Sequence, residues 1–393
     1  MEPINTSDLS IRTSNHDSVC YTARINQISP IAGADVIELA TLNGWNCIVP
    51  KNAYQPGDLC IIAVTDAVIP EKLAQKLNIS NYLRKGNRVR TIKLKGVYSE
   101  CLLMPTSLLS NQVFNEGYDC MKELGISKYE PPVETRKLPS GKKVKYKDNP
   151  NFKVYYKFPN IKNVPNIFNE NDYVEITRKI HGTSARYGFV KKQNPTISDF
   201  IKIKLNALFG WGGNKWRLSD YEYIYGSHNV QKGSDSNGFY DTDVWKEIDK
   251  RYGIRQKLWN EIQNYGKESL GEGVVIYGEI FGKGIQKNYE YGLKSTDIKF
   301  FNVMFNGKYM PTEETKNFIE NALNLKYVQV LYVGRWSKDI QDSCVLNQYI
   351  PGTKIPEEGA VIKGVSGDQS KMAKAINPDY LIYAEKKDVG DSH

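Results

Sequence analysis

The sequence predicts an α+β protein with two domains, and three observations support this prediction. The chain has 393 residues, which is more than one ordinary hydrophobic core holds. Residues 18–108 consist of short strand-like runs separated by turn residues, which is typical of a small β-barrel or sandwich. Residues 151–393 alternate strand-like runs with helical ones, which indicates an α+β domain.

The composition is that of a globular protein without a membrane or secretion signal. Hydrophobic residues make up 40% of the chain and charged residues 25%. The start, "MEPINTSDLS", has no basic segment followed by an apolar one, and no run of about 18 apolar residues occurs. We therefore expect a cytoplasmic or nuclear protein that is not secreted, has no membrane partner and is a monomer.

Cysteine and histidine usage restricts the kinds of metal site. The six cysteines are scattered without short paired spacings, which argues against a disulfide framework and against a zinc cluster. With only four histidines, a histidine-based metal site is not expected either. Any metal should then be a hard ion held by carboxylates and phosphates.

The net charge of +9 is concentrated in two basic stretches. Residues 84–95 and residues 136–147 each carry six cations and no acid. Such clusters favour a polyanionic partner, because neutralising phosphates releases counterions. A solvated basic face is the alternative for either stretch taken alone.

Prolines separate the two predicted domains. The segment 128–150 contains four prolines and no apolar periodicity, which is typical of a linker. The expected domains are therefore 1–127, a small β-barrel, and 151–393. Within the second domain, 241–266 has an aspartate near its start, apolar residues near helical spacing and a closing glycine, which predicts helical structure.

Lys179 lies in a strand-like run that charged residues interrupt. The stretch "VEITRKIHGTSARYGFV", residues 174–190, begins and ends like a buried strand. In the first strand Glu175, Thr177 and Lys179 share a face. Gly182 follows three residues later, where a turn without a side chain lets a phosphate or ribose approach the backbone. A charged hairpin turn is the alternative interpretation.

A nucleophilic role for Lys179 requires a change in its pKa. A free lysine is neutral in only about one molecule in two thousand at pH 7. Partial burial and neighbouring cations lower the pKa of an amine. Arg186, Lys363 and Lys374 are the candidate neighbours.

Lys-x-x-Gly alone is a weak signal, but a series of further segments follows in order. These are "YGSHNV" (225–230), "IYGEIFGKGIQK" (276–287), "IKFFNVMF" (298–305), "PEEGAVIKG" (356–364) and "SKMAKAINPDYL" (370–381). The ordered set resembles the covalent nucleotidyltransferase superfamily, and specifically ATP-dependent RNA ligases with an N-terminal OB domain, the Deinococcus/Naegleria type. "RTIKLKGVYSECLLMP" similarly resembles a segment of the OB domain of those ligases.

The resemblance implies a fold and a set of site residues. The fold would be an N-terminal OB-like barrel followed by an antiparallel-sheet nucleotidyltransferase domain. Lys179 would attack the α-phosphate of ATP and become lysyl-AMP. Glu279 and Glu358 would contact the ribose or hold a hydrated Mg²⁺ or Mn²⁺ ion. Phe301 would stack on adenine, with Phe300 as the alternative. The other residues that the resemblance places at the nucleotide are Thr177, Arg178, His181, Gly182, Arg186, Lys363, Lys371 and Lys374, and Lys374 would act on the α-phosphate during transfer together with Lys363.

Four positions depart from the family pattern. Arg178 stands where glutamate is common, Ser184 where asparagine is frequent, His228 where arginine occurs and Asn302 where aspartate is usual. None of the four removes the nucleophile or either acidic residue.

The order of the motifs favours an RNA ligase within the superfamily. DNA ligases and mRNA capping guanylyltransferases place an OB domain after the last lysine motif, whereas 19 residues follow Lys374 here. The implied reaction joins RNA 3′-hydroxyl and 5′-phosphate ends through lysyl-AMP and RNA-adenylate, as in nick sealing or RNA repair. A DNA ligase, a capping guanylyltransferase, or an inactive OB-domain protein that binds nucleic acid remain as competing hypotheses.

RNA is the partner that this interpretation implies. The basic stretches 84–95 and 136–147 would hold its backbone. A second group, on an aromatic and basic segment, could do the same: Lys202, Lys204, Lys215, Arg217, Trp211 and Trp216.

Overall fold

A computed structural model describes residues 18–84, 86–110, 115–129, 148–228, 230–233, 243–387 and 389–391. The chain forms two compact units. The first comprises Met1–Lys137, Pro159–Phe168 and Ala373–Lys386, and the second comprises Leu138–Phe158, Asn169–Met372 and Lys387–His393. Most of the predicted linker 128–150 lies outside the described residues, so the predicted domain boundaries stay predictions.

The first unit is rich in short antiparallel strands. Its strands are β1 (Cys20–Arg24), β2 (Gln27–Pro30), β3 (Ile37–Leu42), β4 (Trp45–Pro50), β5 (Leu59–Val64), β6 (Ala67–Val68), β7 (Ile92–Leu94), β8 (Val97–Ser99), β9 (Cys101–Met104) and β10 (Ser127–Lys128). Two short helices accompany them, α1 (Glu71–Lys76) and α2 (Met121–Leu124). The apolar run "LCIIAV" of β5 lies between β1 and β9 and is buried from Cys60 to Val64, which explains why this strand does not alternate apolar with polar residues.

Two later segments belong to the first unit. Pro159–Phe168 contributes Lys162, whose Nζ atom lies 2.5 Å from a carboxylate oxygen of the buried Glu100. Ala373–Lys386 includes most of helix α10 (Pro378–Lys387). Glu385 of this helix pairs with Arg90 at 3.0 Å, and the Tyr98 hydroxyl donates a hydrogen bond to Asp379 at 2.7 Å. The sequence prediction assigned both segments to the ligase domain.

Five of the six cysteines lie in the first unit, and all five are buried. They are Cys20, Cys47, Cys60, Cys101 and Cys120. Cys344, in the second unit, is partly exposed. All six are free thiols, so the core of the first unit contains cysteines as small apolar side chains.

The second unit is built on two antiparallel sheets. The larger has six strands in the order β14–β13–β12–β15–β17–β18, and in the smaller β11 lies between β19 and β20. Their bounds are β11 (Tyr173–Lys179), β12 (Thr183–Lys191), β13 (Tyr221–Gly226), β14 (Gln231–Gly233), β15 (Gly273–Gly282), β17 (Thr296–Phe305), β18 (Lys308–Tyr309), β19 (Val330–Arg335) and β20 (Gly359–Gly364). The short strands β16 (Gln286–Lys287) and β22 (Gly390–Asp391) pair with each other, and β21 (Met372–Ile376) begins in the second unit and continues into the first.

The six-stranded sheet buries both of its faces, and its strands alternate between two apolar clusters. Val274 and Ile276 of β15 pack in one cluster with Ile248 and Leu258 of two helices. Val275 and Tyr277 pack in the other cluster with Phe152, Met304 and Tyr309. The period of two therefore assigns successive residues of β15 to opposite faces of the sheet.

Helices of the second unit lie between the strands in the chain. They are α3 (Ile197–Phe209), α4 (Gly213–Arg217), α5 (Val244–Tyr252), α6 (Ile254–Ile262), α7 (Lys267–Leu270), α8 (Thr312–Asn317) and α9 (Lys338–Val345), with a π-helical turn at Phe318–Ala322. The helical segment predicted over 241–266 is two helices in its described part. Asp243 caps the first, and Gly253, in the left-handed region at φ 62°, ends it.

The predicted α+β class is confirmed, because strands and helices are mixed throughout the second unit and strands dominate the first. Among the described residues, no helix has both the length and the apolar character that a membrane span requires.

Candidate active site

Lys179 lies where the chain passes from one sheet of the second unit to the other. It is the last residue of β11 in the smaller sheet, and after the turn 180–182 the chain continues as β12 in the larger sheet. Strands β11 and β12 are not paired with each other, so the charged stretch is not a hairpin turn. The crossing places the amine beside residues from both sheets.

Pairing on each side of the crossing brings one predicted glutamate toward Lys179. In the smaller sheet Lys179 pairs with Gly359, the residue after Glu358. In the larger sheet Ser184 pairs with Glu279. The Nζ atom of Lys179 lies 2.7 Å from a carboxylate oxygen of Glu358. The structure thus brings together Lys179, Glu279 and Glu358, although Lys179 and Glu358 are 179 positions apart in the sequence.

The two glutamates determine the charge state of the amine. Burial acts to lower the pKa of Lys179, but the negative charges of Glu358 and Glu279 and the hydrogen bond to Glu358 outweigh it and raise the pKa above its usual value. The expectation that neighbouring cations lower this pKa is therefore wrong for this state of the protein. The physical reason is that the nearest charges around the amine are carboxylates.

Lys363, a predicted phosphate ligand, is buried away from solvent. Its side chain is 2% exposed, and its Nζ atom donates a hydrogen bond to the carbonyl oxygen of Phe301 at 2.6 Å. A carboxylate oxygen of Glu175 lies 4.0 Å away and accepts a hydrogen bond from Tyr327. Burial lowers the pKa of Lys363 to about 8, with Glu175 opposing the shift. This lysine joins β20 of the smaller sheet to β17 of the larger one.

Two residues that share a face of β11 with Lys179, Glu175 and Thr177, are more buried than the alternation predicts. Thr177 is 1% exposed and Glu175 is 3% exposed, and the core-facing Ile176 is fully buried. Both faces of the strand are covered, because the smaller sheet is enclosed on the side that carries Lys179 as well. Thr177 therefore lies in the wall of the site.

The turn after Lys179 is held by close packing at Gly182 and by side-chain hydrogen bonds to its backbone. A Cβ atom on Gly182 would lie 2.2 Å from the carbonyl oxygen of Ile280, so only glycine fits there. The carbonyl of Gly182 accepts a hydrogen bond from Gln286 at 2.7 Å, and the backbone N–H of His181 donates to the Tyr291 hydroxyl at 2.7 Å. The His181 ring lies 4.0 Å from the second carboxylate oxygen of Glu358.

A β-bulge distinguishes the two candidate adenine-stacking aromatics. Tyr277 pairs with Asn302 and the next residue, Gly278, pairs with Phe300, so Phe301 is the extra residue of β17. Phe300 is fully buried in the core between the sheet and the helices. Phe301 is partly exposed, and its ring lies 4.9 Å from that of Tyr155. Of the two rings, only that of Phe301 is partly exposed, and it packs against the apolar clusters on both faces of the sheet.

The residues that depart from the family pattern have partners of their own. Arg178 forms an ion pair with the buried Glu357, next to the pair of Lys179 with Glu358. Asn302 donates a hydrogen bond to the Tyr155 hydroxyl at 3.2 Å. The Ser184 carbonyl accepts from Trp245. Burial lowers the pKa of His228, and Lys157 and Arg186 lower it further.

Three predicted cationic ligands contact other groups within their own units. Arg186 is 3% exposed and donates to the carbonyl oxygens of Ser227 and Phe152 at 2.9 and 2.5 Å. Lys371 pairs with Asp172 at 2.9 Å. Lys374 lies in the first unit, where its backbone N–H donates to the Pro159 carbonyl. The roles assigned to these three residues stay predictions.

The acidic residues at Lys179 suit a metal that also binds phosphate. Among the described residues, no three His, Cys, Asp or Glu side chains lie close enough to form a metal site by themselves. Within the same part of the chain, one carboxylate oxygen of Glu358 is buried and has no hydrogen-bond partner. A hydrated divalent ion or a ribose hydroxyl would satisfy that oxygen. The residues present therefore fit a metal whose other ligands are water and phosphate.

Sequence reasoning missed several contacts of this site. Glu357, Gln286 and Tyr291 contact Arg178 or the turn after Lys179, and each lies within or beside a segment that the motif series included. The sequence did contain a weak signal for the contact between Arg178 and Glu357. Glu357 directly precedes Glu358, as Arg178 directly precedes Lys179.

Some of the predicted RNA-binding cations are already paired with acidic side chains. In the stretch 84–95, Arg88 pairs with Asp66, Arg90 with Glu385, and Lys93 lies 3.6 Å from Asp379. Three of the five cations that the structure describes in this stretch therefore have acidic partners within the first unit. The stretch 136–147 lies outside the described residues.

The fold and the site define a two-domain protein that combines an OB-fold domain with an antiparallel-sheet ligase domain. A family model described as an OB-fold domain matches residues 19–106. A family model described as RNA ligase matches residues 172–376, which is more than half of the 393 residues. The chain belongs to the RNA ligase family.

Solved structures of one RNA ligase share this architecture. Naegleria gruberi RNA ligase with PPi aligns with a TM-score of 0.66 and 22% identity over 94% of this chain and 99% of that one. A variant of the same ligase with ATP and Mn aligns with a TM-score of 0.67 and 21% identity over 93% and 99%. A variant with AMP and Mn aligns with a TM-score of 0.68 and 22% identity over 94% and 99%.

At this identity the likeness establishes the fold, including the N-terminal OB domain. The comparison with curated proteins gives no match.

Proposed function

We propose that the protein is an ATP-dependent RNA ligase that joins a 3′-hydroxyl to a 5′-phosphate through a lysyl-AMP intermediate. The observation that supports this most directly is the Lys179 amine, 2.7 Å from Glu358 and within the electrostatic influence of Glu279 from the facing sheet. An amine between two carboxylates suits nucleotidyl transfer, because the acids can bind ribose or metal while the amine attacks phosphorus.

In the first step Lys179 acts as the nucleophile. The amine loses a proton to the solvent or to Glu358, and its nitrogen forms a bond to the α-phosphorus of ATP. The bond from that phosphorus to the bridging oxygen breaks, and pyrophosphate leaves. The pKa of Lys179 is raised in the structure described here, so loss of the proton must follow a change in the surrounding charge. Binding of a divalent cation at Glu279 and Glu358 would supply that change.

The adenine would contact the bulged side of β17. Phe301 is the extra residue at the bulge of β17 and is partly exposed, unlike the buried Phe300. Lys363 would act on the pocket through the backbone, since its hydrogen bond fixes the carbonyl of Phe301. We therefore propose Lys363 as a positioning residue, whereas the family resemblance suggested a phosphate ligand.

In the second and third steps the AMP group moves to RNA and is then displaced. A 5′-phosphate oxygen attacks the phosphorus of lysyl-AMP, and the bond to Lys179 breaks. The RNA 3′-hydroxyl then attacks the activated 5′-phosphate and AMP leaves. A divalent metal, Mg²⁺ or Mn²⁺, would neutralise phosphate charge in these steps when bound to Glu279 and Glu358. The Naegleria ligase structures with ATP or AMP and Mn support this choice of cofactors.

Transfer of label from nucleotide to protein tests the proposal. The protein is incubated with α-labelled ATP or GTP and Mg²⁺ or Mn²⁺, and the labelled peptide is mapped. We expect label from ATP on Lys179, none in Lys179→Ala, and normal labelling in Lys316→Ala, a control on helix α8. Labelling from GTP alone would indicate a guanylyltransferase instead.

A second measurement separates an RNA ligase from a DNA ligase and from an inactive binding protein. The adenylylated protein is given nicked duplexes in which the strands at the nick are RNA or DNA. We expect sealing of the RNA nick and loss of label from Lys179. Sealing of the DNA nick alone would contradict the RNA assignment, and RNA binding without any labelling would indicate an inactive binding protein.

A further inference from the structure

The connection between strands β12 and β13 is much longer than their geometry requires. The two strands are antiparallel neighbours, from Arg186 paired with Gly226 to Lys191 paired with Tyr221. A turn of two to five residues commonly joins such strands. Here residues 192–220 intervene and carry helices α3 and α4.

Large apolar side chains on this connection point to solvent. Ile197 is 80% exposed, Leu208 65% and Phe209 61%. Phe200, Ile201 and Trp211 are each more than half exposed. We call this set the 197–211 patch: Ile197, Phe200, Ile201, Leu208, Phe209 and Trp211. Contiguous exposed apolar groups of this size mark interaction surfaces.

The orientation of helix α3 is held by polar contacts on its inner side. Asp199 is 4% exposed and accepts hydrogen bonds from Lys192, and it forms a capping box with Thr196. Burial of the acidic residue fixes which face of the helix points inward. The apolar face is therefore the outer one.

The loop after helix α3 is braced in one conformation. The side-chain amide of Asn206 donates to the carbonyls of Trp211 and Gly213 at 2.8 and 3.0 Å. Gly212 lies in the left-handed region at φ 69°, and a Cβ atom there would overlap the ring of Trp216. The rings of Phe209 and Trp211 lie 5.1 Å apart, and both are exposed. Two aromatic rings are thus presented outward on a preorganised loop.

The charges around the patch are positive. Lys204 and Lys215 are exposed and Lys202 is partly exposed. Asp199, the acidic residue of α3, is already engaged by Lys192. The part of the chain that the structure describes contains no ion-pair partner for these three lysines. A second copy of the same surface would bring like charges together, which disfavours self-association.

We propose that the 197–211 patch binds an unpaired stretch of the RNA that the ligase joins, an inference that rests on the proposed function. Aromatic rings beside lysines are the elements that bind single-stranded nucleic acid, because every base has a face that stacks and every linkage has a charge. Phe200, Phe209 and Trp211 would stack on bases. Lys204 and Lys215 would neutralise phosphates.

Binding of labelled RNA to paired variants tests this proposal. The ligand is a fluorescein-labelled nicked RNA duplex with a 12-nucleotide unpaired tail, and the same duplex without the tail is the reference. We expect Phe209→Ala/Trp211→Ala to raise the Kd for the tailed RNA by about thirtyfold, the effect of losing two stacking contacts at the lower end of their usual strength. Lys204→Ala/Lys215→Ala should raise the Kd at low salt and reduce its salt dependence.

A matched control and the adenylylation assay make the result decisive. Tyr173→Ala/Lys316→Ala removes an exposed aromatic ring and an exposed cation elsewhere in the same unit, and it should leave the Kd unchanged. All variants should still acquire AMP on Lys179, because this step needs no RNA. If the wild type fails to acquire AMP, the proposed function fails. If it acquires AMP but the patch variants bind both RNAs like the wild type, the patch proposal alone is overturned.

Two further outcomes would assign the patch to another partner and overturn the proposal. One is flotation of the wild type, but not of Phe209→Ala/Trp211→Ala, with vesicles of anionic phospholipid while RNA binding is unchanged. The other is a dimer in sedimentation that the same variant converts to a monomer.

Discussion

Lys179 is protonated in the state described here because two carboxylates raise its pKa. The amine must be neutral to attack phosphorus, so the rate of adenylylation should rise with pH until the pKa of the amine in the ATP complex is reached. Replacing Glu358 by Gln removes one of the charges that raise this pKa. We therefore expect the bend in the pH–rate profile of Glu358→Gln to shift to lower pH, while the maximal rate falls.

Single-turnover formation of lysyl-AMP between pH 6 and pH 9.5 measures this profile. Glu313→Gln, an exposed acid in the first turn of helix α8, is the matched control and should keep the wild-type profile. A bend at the same pH in wild type and Glu358→Gln would show that Glu358 does not control the protonation of the amine.

For individual residues, the sequence identifies the residue types of the site more readily than the contacts that those residues make. Lys179, Glu279 and Glu358 were predicted from the order of motifs, and the structure brings them together. The raised pKa of Lys179 was not predicted, because it depends on which charges the fold places nearest. The burial of Lys363 also depends on strands that meet from two sheets.

The bulge in β17 gives the two neighbouring phenylalanines different roles. Phe300 is fully buried among the core residues, so Phe300→Ala should lower the free energy of unfolding by about 3–5 kcal/mol. Phe301 is only partly buried, so Phe301→Leu should cost less than about 1.5 kcal/mol. If adenine stacks on Phe301, the second substitution should nevertheless weaken ATP binding about tenfold.

Thermal unfolding and ATP titration of the Lys179→Ala background, which cannot form the adduct, separate the two effects. Phe305→Leu, on the same strand and partly exposed, is the control. Equal ATP affinity in Phe301→Leu and Phe305→Leu would exclude Phe301 as the stacking residue.

The helices and strands were predicted better than the pairing of the strands with one another. The strand-like runs around Lys179 correspond to β11 and β12, but the local pattern does not reveal that the two strands lie in different sheets. Pairing of β11 with β20 joins residues at least 180 positions apart, from Lys179 with Gly359 outward. The helix break at Gly253 has a local cause, since this glycine lies in the left-handed region, but the break was not predicted.

Polar contacts tie helix α10 to the strands of the first unit. Asp379 accepts a hydrogen bond from Tyr98, and Glu385 pairs with Arg90. Asp379→Ala should lower the stability of the first unit by about 1 kcal/mol, because a partly buried hydrogen bond is lost. Amide hydrogen exchange in the hairpin of β7 and β8 should then be about fivefold faster.

Hydrogen exchange followed by mass spectrometry resolves this hairpin from the second unit. Glu313→Ala in the second unit should leave exchange of the hairpin unchanged. Unaltered exchange at residues 92–99 in Asp379→Ala would mean that helix α10 does not stabilise the hairpin.

On the scale of the whole molecule, the sequence indicated the β-rich N-terminal region and the mixed region that follows. The compact units, however, are not continuous in sequence, since 159–168 and 373–386 belong to the first. No composition change marks these segments, because their membership depends on pairs such as Lys162 with Glu100. Local patterns report how a segment folds and leave its distant neighbours undetermined.

The cysteine thiols provide a chemical probe of the first unit, because most of them are buried in it. Five buried sulfhydryl groups report on one unit, and the single group in the other is already partly accessible. An alkylating reagent should therefore modify Cys344 first and the remaining five only when the barrel opens. The rate of the second phase then reports how often the OB domain opens.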